Sequence, residues 1–254
     1  MSTLVNAMEV LKLIVRLRRD VTVTDLVNEL GYPKSSASRT LSQMAEHEFL
    51  ERDALTKAYR PGAVIMEASF HFRASTTVAA LLEDALEKLV ADTGCTGYLG
   101  ILKESDILVV QMRPGHSALQ VYTPPGSSAP AFANSMGRAL LARHDDAEVR
   151  KLVGRKLAAP PARAPQTPQE LLERLAQVRR LGFAESRGEV LPHVAGVAAA
   201  IVDPATGQGH GIGIAMPEQD STDAAFARYA LCVRDAAQSV GRRIGDDYWL
   251  RFQP

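Results

Sequence analysis

Eight of the ten side chains from Lys34 to Gln43 are polar, among them Lys34, Ser35, Ser36, Ser38, Arg39 and Gln43. At helical spacing, Ala37, Leu41 and Met44 form an apolar stripe, and Lys34, Ser35, Ser38, Arg39 and Gln43 lie opposite it, with Ser36 alongside. No acidic residue interrupts the polar face before Glu46. Short hydroxyls and an amide can meet the donors and acceptors on nucleobase edges, and a guanidinium can fork onto guanine or grip phosphate. Unpaired N–H groups at the start of such a helix also favour phosphate oxygens. The chemistry implied is the reading of a DNA groove. A face of this composition also fits an ordinary solvated helix, so the neighbouring elements must decide.

Those neighbours have a definite order. Leu4, Met8, Leu11 and Val15, with Ile14 alongside, carry the spacing of an amphipathic helix ending near Leu17. A turn follows, and Thr24 has the chemistry of an N-cap for a short helix ending near Leu30. Gly31 suits a left-handed C-cap, and Pro33 can open the next helix in its first turn. That third helix is expected from about Lys34 to His47. Two short strands, Phe49–Arg52 and Lys57–Arg60, then flank a loop, and Lys57 and Arg60 on the second strand could reach neighbouring phosphates. Helix, helix, glycine turn, helix and hairpin is the order of a winged helix-turn-helix.

The rest of the chain mixes helices and strands. A linker helix is expected over 63–76, and a helix from Val78 to Leu89 points Leu82, Leu86 and Leu89 inward. Tyr98–Leu102 and Ile107–Met112 read as an antiparallel hairpin. A Pro/Gly/Ser-rich loop over 123–128 precedes a helix from Asn134 to Arg143. An Ala/Pro-rich surface loop and a helix ending near Arg180 come next, then strands at Phe183–Ser186, Val194–Val202 and His210–Ala215. A long final helix places Phe226, Tyr229, Val233, Val240 and Ile244 on one face. The expected organisation is 1–62, a DNA-binding domain; 63–76, a linker; and 77–254, an α+β domain.

Composition removes several classes. Lys plus Arg equals Asp plus Glu at 29 each, and residues 1–62 carry 9 basic against 8 acidic side chains. Any DNA-binding face must therefore be a local patch. Cys95 and Cys232 form no Cys-x-x-Cys motif, and neither a secretory signal nor a membrane span is visible, so a cytoplasmic protein with reduced cysteines is expected. Gly209-His210-Gly211-Ile212-Gly213 faintly matches a dinucleotide fingerprint but lies inside an expected strand. His144-Asp145-Asp146 lacks a second cluster at ligand spacing, and a helix cap explains its acids. His193 reads as a loop histidine. No catalytic group, metal or cofactor is expected.

With these residues in view, the chain resembles the IclR family of bacterial transcriptional regulators along almost its whole length. Residues 4–62 carry the resemblance in Met8-Glu9-Val10-Leu11, in the run from Leu30 to Arg39, and in Leu50-Glu51-Arg52-Asp53 with Tyr59-Arg60-Pro61-Gly62. The family usually has Leu where Pro61 stands. Gly126, Pro130, Ala133 and Gly137-Arg138-Ala139-Leu140-Leu141-Ala142 are similar to its Gly…Pro…Gly-Lys-Ala-Leu-Leu-Ala segment, with Arg138 for Lys. Gly182-Phe183-Ala184, Glu189 and Ala198-Ala199-Ala200-Ile201-Val202-Asp203 are similar to its effector-site signature. Gly196 and Val202 depart from it: the family usually has Cys, Ser or Ala at the first and an aromatic or His at the second.

The resemblance implies a GAF-like α+β effector domain with a central antiparallel sheet, a dimer built through the N-terminal domains or a tetramer, and a palindromic double-stranded DNA operator. It also implies a small organic acid effector in a pocket between the sheet and its loops. Position by position the pocket would comprise Val121, Ala129, the backbone N–H groups of Ser135 and Met136, Ser186, Gly196, Gly213 and Ala215. Relatives sensing very small keto acids carry polar side chains where this chain has Gly196, Gly213 and Ala215. A bulkier, more apolar acid is therefore expected, such as an aromatic one. Alternatively the pocket is vestigial and the glycines serve strand packing. A metabolite-binding protein or enzyme whose N-terminal helices serve only assembly is the rival from another class.

Overall fold

The computed structural model describes residues 3–17, 19–68, 78–117 and 119–253. The chain divides into two compact units, Met1–Thr76 and Thr77–Pro254.

In the first unit, α1 (Thr3–Leu17), α2 (Val23–Leu30) and α3 (Lys34–Glu46) precede a hairpin of β1 (Leu50–Arg52) and β2 (Tyr59–Pro61). Val10, Leu13 and Ile14 of α1 pack on Leu26, Ala37, Leu41 and Met44. The stripe expected from periodicity enters the core only in part: Ile14 is buried and Leu11 half-buried against it, whereas Leu4, Met8 and Val15 are 73%, 47% and 69% exposed. Helix α1 carries two apolar faces, and this unit's core uses the one displaced by a few residues.

The cap of α2 is also shifted from Thr24. Thr22 accepts from the Asp25 N–H at 3.3 Å, while the Asp25 carboxylate accepts from the Thr22 N–H at 2.7 Å. Asp25 stands three residues after Thr22 and closes a reciprocal box, whereas Thr24 is followed at that spacing by Val27. Arg19, forked onto Asp25 at 2.7 and 3.0 Å, holds the carboxyl far below its usual range, with the Thr22 bonds helping and burial opposing. Gly31 ends α2 with φ 68°, the left-handed cap expected of it, and Pro33 occupies the N-cap of α3 rather than its first turn. Tyr32 is buried and donates to Glu9 at 2.7 Å, tying the turn to α1. Residues 63–68 are helical, and the remainder of the expected linker helix lies outside the described residues.

The second unit is built on one antiparallel sheet in the order β5-β4-β3-β8-β7-β6. Its strands are β3 (Thr96–Lys103), β4 (Asp106–Arg113), β5 (Ser128–Pro130), β6 (Ala184–Arg187), β7 (Val194–Val202) and β8 (Gly209–Pro217). Helices α4 (Val78–Thr93), α8 (Asp223–Ile244) and α9 (Asp247–Arg251) cover one face, through residues such as Leu86, Phe226 and Trp249. A short 3-10 turn (Ala131–Ala133), α5 (Ser135–Leu141), α6 (Asp146–Val153) and α7 (Pro168–Leu181) cover the other, through Phe132, Leu141, Val149 and Leu171.

Two elements depart from expectation. Strand β5 falls in a stretch with no alternation, and is a three-residue edge placed by pairing Ile107 with Ala129. Helix α9 is one short turn, fixed by tertiary bonds: Asp246 caps it, and the Trp249 indole donates to the Ala200 carbonyl at 2.8 Å. The acids at 145 and 146 open α6, where Asp145 accepts from the Glu148 N–H at 2.8 Å.

The capping box makes α2 pH-sensitive. Because folding depresses the Asp25 pKa, its contribution is complete above the unfolded value of about 4 and is lost as pH falls toward the folded value. Asp25→Asn should lower hydrogen-exchange protection of α2 amides at pH 7 by roughly ten-fold, about 1 kcal/mol. Its deficit relative to the wild type should narrow below pH about 4. An equal deficit at both pH values would show that the carboxylate charge is not what holds the cap.

Candidate nucleic-acid interface and ligand cavity

In α3, Ala37, Thr40, Leu41 and Met44 are buried. Lys34, Ser35, Ser38, Arg39 and Gln43 are exposed and Ser36 is half-buried. Among the described residues none of these six side chains has a hydrogen-bond or ion-pair partner in the protein. The small Ala37 lets the helix seat closely in the core while its polar edge projects into solvent.

The wing differs from expectation in two places. Lys57 belongs to the loop before β2, with φ 59°, and its Nζ donates to the Ala54 carbonyl at 2.6 Å. A tight turn closed by the Asp53 carboxylate, which accepts from the Leu55 and Thr56 N–H groups, pulls it out of the strand. Arg60 does lie on β2 but forks onto Glu51, its cross-strand neighbour, at 2.9 and 3.2 Å. The hairpin register creates that pair, and exposure limits its strength.

All eight expected pocket positions, Val121, Ala129, Ser135, Met136, Ser186, Gly196, Gly213 and Ala215, line one cavity of about 280 Å³ in the second unit. It lies between the sheet and the start of α5 and is mostly apolar, with Tyr98, Ile107 and Val109 in its walls. The Asn134 side chain caps α5 through the Gly137 N–H at 2.7 Å, and the first-turn N–H groups of Ser135 and Met136 have no intrahelical acceptor. The Tyr98 hydroxyl is engaged with the Val121 carbonyl at 2.5 Å, and burial raises its pKa.

The small residues play unequal parts. A Cβ on Gly196 would stand 3.1 Å from Ser135 Oγ and 3.3 Å from Ser186 Oγ, so this glycine leaves open the gap between two hydroxyls. A Cβ on Gly213 would meet the Val197 carbonyl oxygen at 2.6 Å and Ala198 Cβ at 2.7 Å. There the neighbouring strand occupies the space, so the expected extra volume is not found at Gly213.

The cavity wall also contains residues that the sequence did not single out for it. Glu189, Val190 and Leu191 line it from the loop between β6 and β7, and Val194 from the start of β7. Glu189 is the one ionisable lining side chain besides the Tyr98 phenol. Its carboxylate is bound by Arg138 at 2.5 and 3.0 Å and by Arg174 at 3.1 Å. Arg138 is 1% exposed and also donates to the carbonyls of Phe132 and Glu185. The apolar run Val190-Leu191 between two strands was the available signal. The pairing of positions 138 and 189 left none.

A helix presented in this way, after a capped second helix and ahead of a two-stranded wing, defines a winged helix-turn-helix DNA-binding protein. Residues 3–54 match the family model for the IclR helix-turn-helix domain, and residues 71–242 match that for the bacterial transcriptional regulator IclR C-terminal region. The chain belongs to the IclR family of bacterial transcriptional regulators. It is 26% identical over 236 residues to the HTH-type transcriptional regulator BhcR of Paracoccus denitrificans (strain Pd 1222), covering 92% of this chain and 84% of that one. Identity is 27% over 242 residues to the transcriptional repressor IclR of Escherichia coli (strain K12), covering 94% and 88%. The fold is shared with a candidate IclR transcriptional regulator from Silicibacter sp. TM1040, with a TM-score of 0.80, 23% identity and 97% of each chain covered. These relatives are regulators, not enzymes, which removes the catalytic alternative.

The cavity depends on how α5 seats. A Cβ on Gly211 would approach Met136 Cγ to 2.5 Å. Gly211→Ala should therefore cost about 1–3 kcal/mol in denaturant unfolding of the second unit. In a Met136→Ala background the added cost should largely vanish. Equal costs in both backgrounds would mean that Met136 is not the obstructing group.

Proposed function

We propose that Lys34, Ser35, Ser36, Ser38, Arg39 and Gln43 of α3 enter the major groove, and that a small, largely apolar organic acid bulkier than pyruvate, such as an aromatic acid, occupies the cavity and changes operator occupancy. The lining of that cavity carries the effector reading. It offers apolar walls, no cation, and a single carboxylate already saturated by two arginines. An acid group entering there would meet the Ser135 and Met136 N–H groups and the Ser135 and Ser186 hydroxyls. A ligand that is nearly all charge would gain little from such walls, whereas an aromatic ring would gain burial. The volume lies near the lower end of the roughly 300–1,000 Å³ typical of small-molecule sites.

The exposed stripe of Leu4, Met8 and Val15 supports self-association through the first unit, as a dimer or as the dimer within a tetramer. A two-fold dimer reads two half-sites about 10 base pairs or a multiple apart, so the operator would be palindromic. Domain boundaries at 1–62, 63–76 and 77–254 complete this reading. The ligand acts only through a difference in its affinity for the DNA-competent and DNA-incompetent arrangements. Named relatives include repressors, and repression is the reading extended to this chain.

Gel shifts with DNA from upstream of the protein's own gene test the groove assignment. Arg39→Ala should weaken specific binding by about 1–3 kcal/mol if the guanidinium reads a base edge. Glu51→Gln releases Arg60 and should steepen the slope of log affinity against log salt by about 1. Unchanged binding in Arg39→Ala would remove α3 from the interface.

Isothermal titration with glyoxylate, pyruvate and a panel of aromatic acids tests the cavity. Binding by at least one aromatic acid, with the smallest acids weak, is expected. Gly196→Val should abolish it while DNA binding without ligand persists. Binding restricted to glyoxylate or pyruvate would overturn the ligand class.

A further inference from the structure

Beyond the Glu189 wall lies a second cleft of about 430 Å³, between edge strand β6 and helix α7. Its lining includes Arg138, Arg163, Arg174 and Arg187, which come from three helix or strand elements and the loop before α7. Only Glu185 and Glu189 oppose them within the lining. Arg138 and Glu189 neutralise one another in their buried, two-pronged pair.

The other three arginines are partly exposed and incompletely engaged. Arg174 gives one N–H to Glu189 at 3.1 Å and one to the Arg163 carbonyl at 3.3 Å. Arg163 gives one to Glu218 at 2.9 Å. Arg187 gives one to the Ser221 carbonyl at 3.2 Å, reaches Asp223 only at 3.5 Å, and stacks with its Cζ 3.9 Å from the centre of the Phe226 ring. Each guanidinium carries five N–H donors, so each retains donors beyond these bonds.

We propose that this cleft is a second ligand site, for a small dianion such as inorganic phosphate or a short dicarboxylate. Once Arg138 and Glu189 are set against each other, the lining retains three arginines and one carboxylate, Glu185, while Glu218 and Asp223 outside the lining engage Arg163 and Arg187 only in part. Guanidinium forks match the paired oxygens of phosphate and carboxylate, and several of them converging on one space favour a ligand with two charges over one. Val178, Leu181 and Phe183 form an apolar floor that excludes water from one side and strengthens the attraction. Arg163 is held over the Gly188–Glu189 turn, since a Cβ on Gly188 would meet its guanidinium nitrogen at 2.7 Å. The cleft is distinct from the apolar cavity, with which it shares only Ser186 and Glu189, and the proposal stands independently of any effector there.

The test is isothermal titration of the full chain with inorganic phosphate and, separately, with succinate, chloride holding the ionic strength constant. Saturable binding of at least one is expected, weakened roughly ten-fold or more in Arg163→Gln/Arg187→Gln. Binding should be unchanged in Arg39→Ala, which separates the cleft from the DNA face, and in Gly196→Val, which separates it from the apolar cavity. The Arg163 side chain is 63% exposed, so Arg163→Gln alone keeps the comparison open should the double variant fail to fold. Phosphate binding without succinate would identify an oxyanion site, and binding of both a site read by charge; either supports the proposal. No saturable binding of either anion, or binding lost in Arg39→Ala or Gly196→Val and kept in Arg163→Gln/Arg187→Gln, would overturn it.

Discussion

The two faces of the second unit's sheet are made of different residues, and much of the unit follows from that difference. Strand β8 sends Ile212, Ile214 and Met216 to one side and Gly211, Gly213 and Ala215 to the other. Strand β7 repeats the division with Val197, Ala199 and Ile201 against Gly196, Ala198 and Ala200. The bulky face is filled by α4 and α8, as a close-packed interior requires. The small face can be filled only by what approaches it. Met136 does so at Gly211, whereas at Gly196 only the Ser135 and Ser186 hydroxyls approach, and the cavity is what remains.

Such a hollow closes unless its walls are pinned, because empty apolar volume is destabilising. The pin is the Arg138–Glu189 pair. Burying two charges is costly, and their mutual attraction repays that only with good geometry and additional hydrogen bonds. Both conditions hold: Arg138 also reaches the Phe132 and Glu185 carbonyls, and Glu189 also accepts from Arg174. An apolar pair of similar volume could match it in stability but could not fix the start of α5, the end of β6 and the loop carrying Val190 and Leu191 at one point. The pair defines shape rather than adding strength. It also leaves the cavity facing a carboxylate with its acceptors already engaged.

The sequence revealed regular elements and local chemistry well, and long-range choices poorly. The α3 stripe of Ala37, Leu41 and Met44 and the left-handed Gly31 were legible because period and cap are local properties. On α1 the same periodicity marked a real apolar stripe, but which of two stripes enters the core depends on α2 and α3. Thr22 rather than Thr24 caps α2 because of a carboxylate three residues on, a signal that was present and missed. Strand β5 and helix α9 owe their existence to partners far along the chain, Ile107 and Ala200. The cavity positions came together through family resemblance. The restricted space at Gly213 comes from the approach of β7, which only coordinates reveal.

The charge of the first unit bears on how it must act. With 9 basic and 8 acidic residues over 1–62, attraction to phosphate is a local matter. The structure narrows it further: Arg60 is forked onto Glu51, Lys57 is bent back to Ala54, and Arg16 and Arg19 are paired with Glu29 and Asp25. Lys34 and Arg39 remain as unpaired cations on the exposed polar edge of α3. If only these few cations met phosphate, one unit would have little sequence-independent affinity and a shallow salt dependence. Two linked units bind with the second event made intramolecular, which multiplies a weak affinity without any new contact to DNA. On this argument the proposed self-association through Leu4, Met8 and Val15 is a condition of operator binding. Occupancy would then respond to anything in the second unit that changes how two recognition helices are spaced.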